Sequence, residues 1–169
     1  MDKRKLLMAA AMAAAAVPAP ALAAPVSATT DASGRALILI PLTLTKVDDL
    51  DFGSVIPSAS SGTVSMAADG SGQSVTGGVT PLPSDSGARG MFAGAGAAGQ
   101  QVLIFLAPPA SLSDGAGHIM PISMSLETSR VTIGPTRAFF VGVGGTVTVA
   151  PNQVEGVYTG TFTVLAQYN

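Results

Sequence analysis

Between Val157 and Tyr168 the side chains alternate with a period of two. Tyr158, Gly160, Phe162, Val164, Ala166 and Tyr168 fall on one face, and Thr159, Thr161, Thr163, Leu165 and Gln167 on the other. A helix would scatter both sets around its circumference, whereas a strand points successive side chains to opposite faces. The β-branched threonines also suit a pleated surface. The segment is therefore expected to be one long strand with a buried face. The same period recurs in Met120 to Leu126 and in Thr146 to Val149, and Gln101 to Leu106 is a continuous apolar run suited to a central strand. Leu50 to Ile56 and Thr63 to Met66 add two more strands. Turn signals separate these segments at Asp69 to Gly72, Pro81 to Gly87 and Asp114 to Gly117. Short strands punctuated this way predict an all-β sandwich or barrel, not a parallel sheet with crossover helices.

Composition narrows the chemistry. The chain has 169 residues with 11% charged and 5% aromatic residues, 20 Gly, 12 Pro, one His, no Trp and no Cys. Without cysteine there is no disulfide framework, thiol nucleophile or zinc-thiolate site. Gly94 to Gly99 lacks the GK[ST] and following helix of a phosphate loop and reads as a flexible hairpin or loop. Ser113, Asp114 and His118 are the residue types of a hydrolase triad. No G-x-S-x-G nucleophile elbow accompanies them, so His118 reads as a surface-loop residue. Asp48, Asp49 and Asp51 lack the D-x-[DN]-x-[DN]-G calcium spacing and read as a solvated turn. No enzyme activity, cofactor or metal is expected.

The N-terminus reads as an address. Lys3, Arg4 and Lys5 precede the apolar stretch Leu6 to Val17, and Ala21-Leu22-Ala23 forms an A-x-A cleavage signal. The expected organisation is a signal peptide over residues 1–23, a flexible extension over 24–35 and a single domain over 36–169. Beyond Ala23, five Lys/Arg face nine Asp/Glu. Those cations are scattered, so no patch suited to nucleic acid remains. No further apolar run has the length of a membrane span. The mature chain is expected to be exported to the periplasm, cell surface or medium.

The segment Ala36 to Thr45, ALILIPLTLT, is apolar on both faces in its first half. Exposed, it would be an aggregation site. It is expected either to be the first strand of the domain's own sheet or to be donated to a neighbouring molecule. Leu37, Ile38, Leu39, Ile40, Leu42 and Leu44 are the candidate residues.

Three stretches carry a resemblance: PLTLTKVDDLDFGSV from Pro41, GTVSM from Gly62 with the glycine-rich loops that follow, and VGGTVTVAPNQVEGVYTGTFTVLAQYN from Val143. They resemble DUF4402, a bacterial family of exported domains. More distantly they resemble spore coat protein U and the archaic chaperone–usher pilins. The likeness is specific at LDFGS and at G-x-Y-x-G-T-F-T-V-x-x-x-Y. It implies an immunoglobulin-like β-sandwich, completed by a donated strand, that polymerises at the cell surface as a fimbria-like structural subunit. A periplasmic chaperone, an usher and other copies of the chain are its implied partners. Pilins end on a pattern matched here by Gly156, Phe162, Val164, Ala166 and the penultimate Tyr168, the candidate chaperone or acceptor edge. The cysteine pair usual in coat-protein-U-type subunits is missing. The alternative is a secreted, self-complemented β-sandwich binding module with contacts from loops such as Thr80 to Gly90.

Overall fold

The computed structural model describes residues 30–169. The expected signal peptide and the first part of the extension lie outside them. Residues 30–36 form no regular element, and residues 37–169 form one compact unit. Among the described residues there are ten strands and no helix. They are β1 (Thr43–Asp48), β2 (Val55–Met66), β3 (Gln73–Pro81), β4 (Gly90–Ala95), β5 (Gln101–Ala107), β6 (Ser111–Ser113), β7 (Ile119–Leu126), β8 (Arg130–Thr132), β9 (Ala138–Val149) and β10 (Thr163–Tyr168). The all-β expectation is met. The strands form two antiparallel sheets, a large one built from β1-β4-β9-β2-β3 with β7 and β6, and a small one in the order β10-β5-β8.

The twelve-residue β9 is the spine of the large sheet. Its first half, Ala138 to Val143, pairs with β4, and its second half, Gly145 to Val149, pairs with β2. Val143 and Val147 also pair with β7, so β7 must lie on the side of β9 opposite both β4 and β2. Phe139, Val141, Val143, Val147 and Val149 occupy alternate positions and are all buried, as one face of a covered strand requires. Glycine permits the packing at several places, Gly94 and Gly144 among them. Gly94 lies directly across from Phe139, whose ring occupies the space a Cβ would need. At Gly144 a Cβ would collide with the Met66 carbonyl, where β2 leaves the sheet.

Two apolar clusters fill the interior. The first joins Phe92, Phe139, Val141 and Val143 of the large sheet to Val102 and Ile104 of the small one, with Phe162, Val164, Ala166 and Tyr168 packed against it. Phe92 and Phe162 meet edge-to-face with ring centroids 6.1 Å apart, a contact worth about 0.5–1.5 kcal/mol beyond burial. The second gathers Val64, Val79, Met120, Val147 and Val149, with Phe52, Val55, Leu112, Ile122 and Tyr158 packed around it. The small sheet covers the first cluster. The second is roofed by an irregular segment, Gln153 to Phe162.

That segment corrects the sequence reading of one continuous final strand. Thr159 bridges to Ser113 of β6, at the margin of the large sheet, whereas Thr163 to Tyr168 pair with β5 of the small one. The chain must cross from one sheet to the other between these points, and pairing lapses there. Alternation persists because both ends of the crossing bury the same parity of side chain. The first strand also differs. It starts only at Thr43, two residues after Pro41, which has no N–H for a ladder. Leu50 to Ile56 is likewise no strand of its own, since it holds only an isolated bridge from Asp51 to Ala88 before β2 begins at Val55.

Replacing Gly94 by Ala should lower stability by about 1–3 kcal/mol through overpacking against Phe139. Urea unfolding of G94A, F139L and the double variant checks this. Less than additive loss in the double variant is expected, because the smaller side chain relieves the clash.

Candidate functional site

Two segments distant in sequence converge on one opening. The first is Asp51-Phe52-Gly53-Ser54, between β1 and β2. The Asp51 carboxylate accepts the Gly53 N–H at 2.8 Å, a turn in which Gly53 takes a φ of 72°. Ser54 donates from its hydroxyl to Asp85 Oδ2 at 2.5 Å and from its N–H to the Asp85 carbonyl at 3.2 Å. Asp51 and Ala88 exchange backbone hydrogen bonds at 2.8 and 2.9 Å. The loop between β3 and β4 is thus pinned to this turn. A Cβ on Gly53 would collide with the backbone at Asp85 and Gly87.

The second segment is Gln153 to Gly160. Tyr158 donates to the Val154 carbonyl at 2.8 Å and accepts from Gln153 Nε2 at 2.8 Å, which holds the chain in a compact loop. Between the segments lies a cavity of about 790 Å³. Its floor is the inner face of the large sheet, with Val64, Met120, Ile122, Val147 and Val149. Its rim exposes Ile56 and Val157, at 57% and 81% of their full accessibility. Asp49, Asp51, Asp85 and Glu155 also line it, and no Lys or Arg does. Size and apolar lining fall within the range of binding cavities.

The candidate edge residues distribute around this feature. Gly156 and Phe162 line the cavity. Val164, Ala166 and Tyr168 lie on β10 with their side chains against the first cluster. β10 pairs with β5 on one side only and is an edge of the small sheet. The candidate donor residues divide. Leu42 and Leu44 pack against the domain's own core, and Leu44 is within β1. Leu37 and Ile38 are 63% and 93% exposed, Ile40 is exposed, Leu39 is half-buried, and none of the four belongs to a strand. The two sets meet at one point: Tyr168 donates from its hydroxyl to the Ile40 carbonyl at 2.9 Å and accepts from Ala97 N–H at 2.8 Å. Neither the cavity nor this clasp is legible from alternation, because both depend on segments far apart in the sequence.

The other polar groups have local explanations. His118 Nδ1 lies 2.5 Å from Asp114 Oδ2, and this hydrogen bond is the main cause holding the Asp114 carboxyl below the usual carboxylate range. Ser113 Oγ accepts from Gly115 N–H at 3.1 Å, a bond within the same turn. Lys46 pairs with Asp49 at 2.6 Å, and among the described residues no three His, Asp or Glu side chains gather as metal ligands.

The family model described as "Domain of unknown function (DUF4402)" matches residues 42–168. The chain belongs to the DUF4402 family. Both segments that frame the cavity, LDFGS and G-x-Y-x-G-T-F, lie inside the matched range. No curated protein and no solved structure matches the chain. Among the described residues of this DUF4402 chain, no helix is long and apolar enough to cross a membrane.

Replacing Tyr168 by Phe should lower stability by about 1–2 kcal/mol, since Ala97 N–H and the Ile40 carbonyl both lose their partner. Amide exchange at Ala97 and protease cleavage within residues 37–41 should both accelerate; unchanged rates would show that the clasp holds nothing.

Proposed function

We propose that this DUF4402 chain is an exported, pilin-like structural subunit that assembles by β-strand addition at the cell surface. The observation that carries the reading is a mismatch within one molecule. An apolar, strand-forming segment, Leu37 to Ile40, stands outside both sheets, while β10 has an unpaired edge and an apolar cavity opens at Phe162, just before that strand begins. An unpaired strand edge is a template for another chain, and an added strand gains main-chain hydrogen bonds together with pockets for alternate side chains. Both halves of such a joint are present on every copy. A heterologous joint of this kind repeats into an open polymer.

The signal-like N-terminus supports export, and the C-terminal pattern from Gly156 to Tyr168 supports handling by a periplasmic chaperone and an usher. Other copies of the chain are the principal partners. The competing reading, a self-complemented binding module, requires Leu37 to Ile40 to occupy the domain's own sheet, and the exposure of Leu37, Ile38 and Ile40 counts against it. The loop from Leu82 to Arg89 is also a poor free contact loop, being tied to Asp51 and Ser54.

The chain should be expressed with its signal in a periplasm alongside its genomic neighbours and run on unboiled SDS gels. A ladder is expected, and deletion of residues 24–40 should abolish it while leaving a folded monomer. Monomer alone from the full chain under every condition would exclude assembly by strand addition.

A further inference from the structure

Strand addition needs an acceptor site and a direction of entry, and the geometry favours one pair. The apolar cavity is the place where the interior is roofed by an irregular segment rather than by a strand. Its framing segments, Asp51 to Ser54 and Gln153 to Gly160, approach it from the end of β1 and from the start of the crossing that leads to β10. A strand laid there would cover the floor at Val64, Met120, Val147 and Val149, and would continue along the free edge of β10. From Arg35 to Ile40 the exposed segment has the six-residue length of β10.

A chain cannot readily fill its own cavity with these apolar residues. Tyr168 holds the Ile40 carbonyl where β10 ends and just before β1 begins. The cavity is lined from Asp49 onward and from Phe162 backward, past the opposite ends of both strands. Six residues of strand span roughly 20 Å. The three residues from Ile40 back to Leu37 reach about 11 Å at most. With the clasp closed, Leu37 to Ile40 fall short of their own cavity and are available to another copy's.

Charge supplies the direction. The carboxylates lining the cavity are Asp49, Asp51, Asp85 and Glu155, with no cation among the lining residues. Asp49 pairs with Lys46, Asp51 and Asp85 accept the turn hydrogen bonds described above, and Glu155 has no hydrogen-bond or ion-pair partner among the described residues. Arg35 is the one cation between Ala24 and Lys46, and it stands two residues before the exposed apolar run. An exposed ion pair adds little affinity, but charge complementarity sets orientation and raises the rate of encounter.

We infer that the cavity is the acceptor site for Leu37 to Ile40 of a second copy, entered with Arg35 at the acidic rim beside Glu155. This rests on the strand-addition reading and adds a location and a polarity to it. The absence of cysteine makes the test clean, because two singly substituted, differently tagged full-length chains can be mixed and oxidised. I38C should cross-link to V157C and to I56C, two exposed rim positions, and not to F140C, which is exposed elsewhere. R35E in the donor should slow cross-linking by about tenfold at low salt. E155R in the acceptor should restore the rate for R35E, and high salt should erase the difference. Thermal unfolding of each variant alone confirms that the exposed substitutions leave the fold intact. Equal linkage to F140C, or rates indifferent to the charge exchange, would overturn the placement. A ladder without the rim cross-link overturns the placement and leaves strand addition standing, and monomer throughout overturns both.

Discussion

A seven-stranded sheet cannot be covered by a three-stranded one, and the organisation of this molecule follows from that inequality. Sheets are stable when each apolar face meets another layer. Here β5, β8 and β10 cover the Phe139, Val141 and Val143 half of the large sheet's inner face. Over the Val64, Val147 and Val149 half, the roof is a loop held by Tyr158, Gln153 and one bridge to β6. Main-chain pairing is sparse in that roof, so it is the place where an added strand gains most.

The same inequality gives meaning to the N-terminal segment. A run such as Leu37-Ile38-Leu39-Ile40 is a liability in a stable monomer, since exposed strand-forming segments drive aggregation. Such a run and an under-roofed cavity on one molecule are complementary defects. Tyr168 connects them: its ring belongs to the first core cluster, while its hydroxyl fixes the point at which the N-terminal segment leaves the domain. One residue near the C-terminus thus governs both the end of the edge strand and the reach of the candidate donor.

Much of the architecture was legible in strand periodicity. β7 and the buried parity of the C-terminal segment follow from alternation because a strand with one covered face must alternate, and β5 follows from its continuous apolar run. β3 and β4 were not legible. Gly90 to Ala95 reads GMFAGA, and glycine and alanine are weak strand signals that β4 tolerates because Phe139 packs over Gly94. β6 and β8, three residues each, are too short to show a period. For the site, the LDFGS and G-x-Y-x-G-T-F motifs were visible as strings, but their meeting across one cavity was not.

By itself the sequence determined the parity of β7, of the second half of β9 and of the C-terminal segment, the turn at Asp69 to Gly72, the all-β class and the lack of thiol chemistry, because these depend on residue type and on spacing between near neighbours. Tertiary structure alone decided where strands begin and end and which side chains become neighbours across the chain. It cut the final strand at Thr163, delayed the first to Thr43, left Leu37 to Ile40 outside both sheets, and brought Asp51 to Ser54 opposite Gln153 to Gly160. The physical reason is that strand limits are set by the partner's backbone, and a partner a hundred residues away leaves no local trace.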